Sequence, residues 1–132
     1  MTQRRKVSSG SAYESAVGYS RAVRTGPHIV VAGTTAEGDS IAAQTREALR
    51  RIEIALQKVG ASLSDVVRTR IYVTDIANWR EAGEVHSEYF ETIRPATTMV
   101  QVAKLIDEEA LVEIEADAVI HYEARTQASE LG

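Results

Sequence analysis

Between Leu111 and His121 every second residue is apolar: Val112, Ile114, Ala116, Ala118 and Ile120 fall on one side, with Glu113, Glu115 and Asp117 on the other. A period of two belongs to a strand whose successive side chains point to opposite faces of a sheet. Such a strand needs neighbours, with one face buried and the other set against something that tolerates charge. Val66 to Thr74 shows the same alternation and is rich in β-branched residues, which predicts Val67, Thr69, Ile71 and Val73 on one face and Val66, Arg68, Arg70 and Tyr72 on the other.

The cover for the apolar face is equally visible. A helix is expected to start near Ser40, whose side chain can cap free amides, and to end at Gly60, placed for a left-handed terminating residue. Ile41, Thr45, Ala48, Leu49, Ile52, Ala55, Leu56 and Val59 follow the 3.6-residue period and form one stripe to be buried. A second helix is expected after Asn78, with Glu81 placed as in a capping box, running to Ile93 before Pro95 breaks it; Trp79 is expected to anchor it and Tyr72 to pack. Thr97 to Ala103 then reads as a strand with Thr98, Val100 and Val102 on one face and Thr97, Met99 and Gln101 on the other. Nearer the start, Val17 to Val23 and Ile29 to Gly33 read as a hairpin around the turn Thr25-Gly26-Pro27. The order is β-β-α-β-α-β-β, an α+β fold with two helices on one face of a mainly antiparallel sheet. The first dozen residues and the tail after about Tyr122 are expected to be loosely structured, leaving an ordered core of about 13–122 in a single domain, 1–132.

Composition narrows the function. The 132 residues, 44% hydrophobic, suffice for one core. No apolar run is long enough to span a membrane, and Arg4-Arg5-Lys6 leads into Val7-Ser8-Ser9-Gly10 rather than an apolar signal core, so a cytoplasmic protein without a membrane partner is expected. The absence of cysteine excludes disulfides, thiol nucleophiles and thiolate metal sites. A net charge of −4 argues against nucleic acid, and the charges of Arg46, Glu47, Arg50, Arg51 and Glu53 alternate in sign as on a solvated helix face. There is no P-loop, dinucleotide turn or nucleophile elbow, and His28, His86 and His121 are too scattered for a metal site, so neither metal nor cofactor is expected.

The candidates for chemistry lie on the second sheet face, where Glu113, Glu115, Asp117, Arg68 and Arg70 are mixed with Leu111, Val119, Met99 and Tyr72. That face is too apolar for open water and too charged for a core; packing against copies of the same chain would leave polar pockets for a small ligand at the seam. The three carboxylates either pair with Arg68 and Arg70 or leave one poorly solvated and fit for proton transfer. Gly33-Thr34-Thr35 and Thr97-Thr98 sit at strand ends, where hydroxyls and free amides can bind an oxygen, or are simple strand formers. His86 has helical spacing to Ala82, Tyr89 and Phe90, which places it at the edge of a buried face, with a catalytic role the sharper alternative.

Gly18-Tyr19-Ser20-Arg21-Ala22, Val31-Ala32-Gly33-Thr34, Arg70-Ile71-Tyr72-Val73-Thr74-Asp75, Arg94-Pro95-Ala96-Thr97-Thr98 and Val112-Glu113-Ile114-Glu115-Ala116, in that order, resemble the RidA family, also called YjgF or L-PSP, over roughly residues 13 to 120. The resemblance implies a chorismate-mutase-like fold and a homotrimer with sites between subunits. It implies cofactor-free hydrolysis of reactive 2-imino or enamine acids, products of PLP enzymes, to 2-oxo acids and ammonia. By position, Tyr19 would line the pocket, Gly33 would offer backbone to the substrate, and Glu115 would hold or polarise the attacking water. Where imine-hydrolysing members carry an arginine that clamps the substrate carboxylate, this chain has Thr97. A charged hydrogen bond contributes roughly 1.5–3 kcal/mol, and a hydroxyl does not replace a bidentate fork. The resemblance therefore points to a different imine, enamine or carbonyl compound, selected by a wall of Thr97 and Met99, with Thr34 beside Gly33 and with Arg94 and Arg21 as candidate substitutes for the missing cation. A non-catalytic metabolite-binding module and a ribonuclease stay open as alternatives.

Overall fold

The computed structural model describes residues 3–121. Their elements are β1 (Arg4–Val7), α1 (Ala12–Val17), β2 (Ala22–Thr25), β3 (His28–Thr34), α2 (Ile41–Lys58), β4 (Val66–Val73), α3 (Trp79–Phe90), β5 (Ala96–Gln101) and β6 (Val112–Val119), with 3₁₀ turns at Leu63–Asp65 and Ile76–Asn78. The six strands form one mixed sheet in the order β1-β2-β3-β6-β4-β5. Every pairing is antiparallel except β4 with β5, a parallel pair joined by the crossover through α3. The expected order therefore holds from β2 onward.

The α2 stripe is buried in full: Ile41, Thr45, Ala48, Leu49, Ile52, Ala55, Leu56 and Val59 are all covered, against Ile29, Ile71 and Ile114 of the sheet. Burying one such aliphatic side chain stabilises by about 1.5–3 kcal/mol. Ser40 caps the helix by accepting from the Ala43 amide, and Gly60 follows its end at a φ of 82°. Gln44 joins them unannounced by its polarity: buried, it donates to the carbonyls of Gly38 and Glu109 and accepts from the Leu111 amide, tying α2 to the entry of β6. The exposed charges of α2 pair as expected, Glu47 with Arg50 and Arg51 and Arg46 with Glu88.

Five local expectations are corrected. The stretch from Val17 to Val23 is not one strand: α1 ends at Val17, Gly18 closes it at a φ of 90°, and β2 begins only at Ala22. Residues 3–12 are not loose either, because β1 pairs with β2 and Ser11 and Glu14 form a capping box at the start of α1, while the tail after about Tyr122 lies outside the described residues. A β-bulge between Val66 and Arg68 exchanges the two valines, so Val66 is buried and Val67 is 40% exposed. Asn78 makes no side-chain cap; the preceding turn is capped by Asp75, and α3 ends at Phe90 rather than Ile93. Trp79 anchors nothing in the core, being 48% exposed with the Arg80 guanidinium 4.8 Å from its ring centre.

Candidate active site

Alternation along β6 sends Ile114 and Ala116 into the core and leaves Glu113, Glu115 and Asp117 half-buried on the helix-free face. Antiparallel register places Arg70 of β4 opposite Glu115 and Tyr72 opposite Glu113. Arg70 Nη1 lies 3.6 Å from both Glu115 Oε1 and Asp117 Oδ2, so of the two arginines expected to pair with the acidic set Arg70 does so, one cation serving two carboxylates. The Tyr72 hydroxyl donates to the same Glu115 Oε1 at 2.5 Å. Tyr72 is thus more than a packing residue. Its neighbours hold its pKa above the ordinary phenol value, chiefly through that hydrogen bond and then through burial.

Glu113, two residues away, has a raised pKa, from burial first and from the charge of Glu115 second, with Arg21 acting against both. Its carboxylate lies over Gly33, where a β-carbon would come within 2.6 Å of Oε2. The register of β3 against β6 shifts between Val31 and Thr34, so Gly33 sits at an irregularity that brings backbone close to this carboxylate. Arg21 braces the same corner: its Nη1 donates to Gly33 O at 2.7 Å and Thr34 Oγ1 at 3.0 Å, and its Nη2 donates to the Tyr19 hydroxyl at 3.2 Å. Tyr19, Arg21, Gly33 and Thr34 are therefore brought together, next to Glu113. Thr34 itself is buried.

Thr97 and Met99 stand elsewhere. Parallel pairing of β5 with β4 matches Thr97 to Thr69 and Met99 to Ile71, both core-facing residues, so these two side chains lie on the helix-covered side and not on the mixed face. Thr97 Oγ1 is 2.7 Å from Thr69 Oγ1, which is 2.8 Å from His86 Nε2 on α3. Burial lowers the His86 pKa, and its ring lies 4.6 Å from that of Phe90. Beside this chain of hydroxyls is a shallow cleft of about 310 Å³ lined by His86, Ser87, Phe90, Arg94, Pro95 and Thr97. Arg94 enters it from the turn after α3 at a φ of 52°, with its Nε donating to Glu91 O.

Within the chain the sequence-derived residues thus fall into three groups: Glu115 with Tyr72 and Arg70, the Arg21 corner, and the Thr97 cleft. Glu115 and Thr97 face opposite sides of the sheet. Glu113 was legible only as one of three alternating carboxylates and Tyr72 only as a packing residue, although the alternation of β4 had already put Tyr72 on the charged face. Among the described residues no three His, Cys, Asp or Glu side chains converge as a metal site, and no helix is long and apolar enough to cross a membrane.

The family model described as Endoribonuclease L-PSP matches residues 9–120. The crystal structure of a Mycobacterium tuberculosis member of the YjgF family is 69% identical, covers 89% of this chain and all of its own, and superposes with a TM-score of 0.88. A RutC family protein of Pyrococcus abyssi is 37% identical over 109 residues, 76% of this chain and 84% of its own length. The 3-aminoacrylate deaminase RutC of Acinetobacter baylyi is 43% identical over 77 residues, 58% of this chain and 60% of that protein. Matching sequence over nearly the whole described chain and sharing the YjgF fold, this protein belongs to the RidA family, also called YjgF or L-PSP.

Proposed function

We propose that the protein is a deaminase that hydrolyses a small imine or enamine to a carbonyl compound and ammonia, in pockets shared between copies of a homotrimer. One observation carries the reading: Glu115 stands half-exposed on the helix-free face with Oε1 engaged by Tyr72 and Arg70 and Oε2 without a hydrogen-bond partner among the described residues. A carboxylate in that state can take a proton from water as its oxygen attacks the electrophilic carbon. Attack on a protonated imine forms the C–O bond and moves the C=N electron pair to nitrogen; the water proton passes to Glu115. Glu115 then returns it to the amine nitrogen, the C–N bond breaks, and the hydroxyl proton leaves with ammonia as ammonium. No electron acceptor is required. The deaminase among the relatives supports this chemistry, its substrate being an enamine.

Oligomerisation is part of the proposal because one protomer separates Glu115 from Thr97. Exposed apolar side chains on or beside the helix-free face, Val30, Val67, Val100 and Leu111, support burial against sister chains. β5 is an edge strand, so its Thr97 rim is free to meet that face of a neighbour. The test is ammonia release from imines generated in situ by an amino-acid oxidase. Glu115→Gln, which keeps shape and removes the base, is expected to lower kcat by about 10²–10⁴; a variant as fast as the unaltered protein would remove Glu115 from the reaction.

Thr97 favours a second reading, a non-catalytic metabolite-binding trimer, because its hydroxyl is already engaged by Thr69. That reading expects thermal stabilisation by a metabolite without its conversion. The ribonuclease activity in the family model's description fits poorly with a net charge of −4.

A further inference from the structure

We propose that Tyr72 is a positioning residue for Glu115, holding one carboxylate oxygen so that only the other is presented to water. The kinetic consequence rests on the deaminase reading; the pairing of the two side chains does not.

Register explains how the contact arises. Tyr72 is directly opposite Glu113, so its long side chain reaches Glu115 along the diagonal, a distance that suits an aromatic residue. Its hydroxyl donates to Oε1, toward which Arg70 Nη1 also points from 3.6 Å. Both neighbours therefore address the same oxygen. The terminal torsion of an unrestrained glutamate is broad and roughly two-fold, so its oxygens exchange places readily. Pinning Oε1 stops that exchange and gives Oε2 a fixed direction.

The phenol acts as a donor and not as a base, because its proton is retained well above neutral pH by Glu115, by burial and by the nearby Glu113 charge, against the pull of Arg70. A hydrogen bond donated to a carboxylate favours its charged form, the form that accepts a proton from water. The charged groups around Glu115 are Arg70 from β4, Glu113 and Asp117 from its own strand, and Arg21, which acts on Glu113 from the segment before β2. Arg70 is shared with Asp117, so the tyrosine proton is the interaction dedicated to Glu115 alone.

Tyr72→Phe removes this proton and keeps the ring. Across a pH series with an imine generated in situ, the variant is expected to lose about tenfold in kcat, the worth of one charge-assisted hydrogen bond, with little change in KM. In parallel, a crystal structure of Tyr72→Phe is expected to show the Glu115 carboxylate in more than one orientation, where the unaltered protein shows one. If the unaltered protein releases ammonia and the variant matches it in kcat, Tyr72 does not position Glu115. If the unaltered protein releases none, the deaminase reading fails and the structural comparison decides by itself: an unmoved Glu115 carboxylate overturns the inference, a reoriented one sustains it.

Discussion

Thr97 occupies the position where imine-hydrolysing relatives are expected to hold a substrate carboxylate, and its hydroxyl is bound to Thr69, which is bound in turn to His86. Replacing it costs little internally, since Thr69 keeps His86 as a partner. Thr97→Arg places a guanidinium at the exposed start of β5, beside the cleft lined by Ser87 and Arg94. It is expected to raise kcat/KM for a small 2-imino acid by about tenfold and to leave an imine without a carboxylate unchanged. Steady-state kinetics on the matched pair of substrates checks this; equal effects on both would show that the arginine does not reach a carboxylate. Residue identities made Thr97 and Glu115 legible as candidates. Tyr72 escaped because a tyrosine in an alternating strand packs more often than not, and nothing local to it announces a partner 43 positions away.

Short elements are set by side chains that periodicity does not register. α1 spans six residues, too few to display a stripe, and what holds it is Glu14, whose carboxylate accepts from Ser9 N, Ser9 Oγ and Ser11 N. Those bonds, the Ser9 hydroxyl foremost, lower its pKa from 4.5 to about 2. A folded-state pKa below the unfolded value means that the stabilisation is complete above about 4.5 and is lost as pH falls toward 2. Glu14→Gln is therefore expected to be less stable than the unaltered protein at neutral pH and to lose that part of the acid sensitivity, so the two denaturation midpoints converge by pH 2. Denaturant titrations at several pH values measure it; a constant gap would rule Glu14 out. The Ser11-to-Glu14 spacing was a readable cap signal, hidden in a segment whose Ser and Gly content suggested looseness. The bulge at Val67 had no such signal, because an extra residue in one strand is defined only against the strand it pairs with.

For the molecule as a whole, the proposed assembly rests on the helix-free face. Val100 lies there on edge strand β5, 41% exposed, in register with Tyr72. Val100→Asp puts a charge on the face without disturbing the core, and is expected to convert a trimer to monomers that keep their circular dichroism and lose ammonia release. Sedimentation of both proteins checks it, and an unaltered protein that sediments as a monomer would end the shared-pocket proposal. The two long helices, the alternating strands and the Ser40 cap were legible in the chain because periodicity and capping involve residues within a few positions of each other. The parallel pairing of β5 with β4, which turns Thr97 away from Glu115, and the diagonal reach from Tyr72 to Glu115 were not, because register is chosen by the summed contacts of strands distant along the chain. Local order could be read from neighbours in sequence; the arrangement of the candidate site depends on neighbours in space.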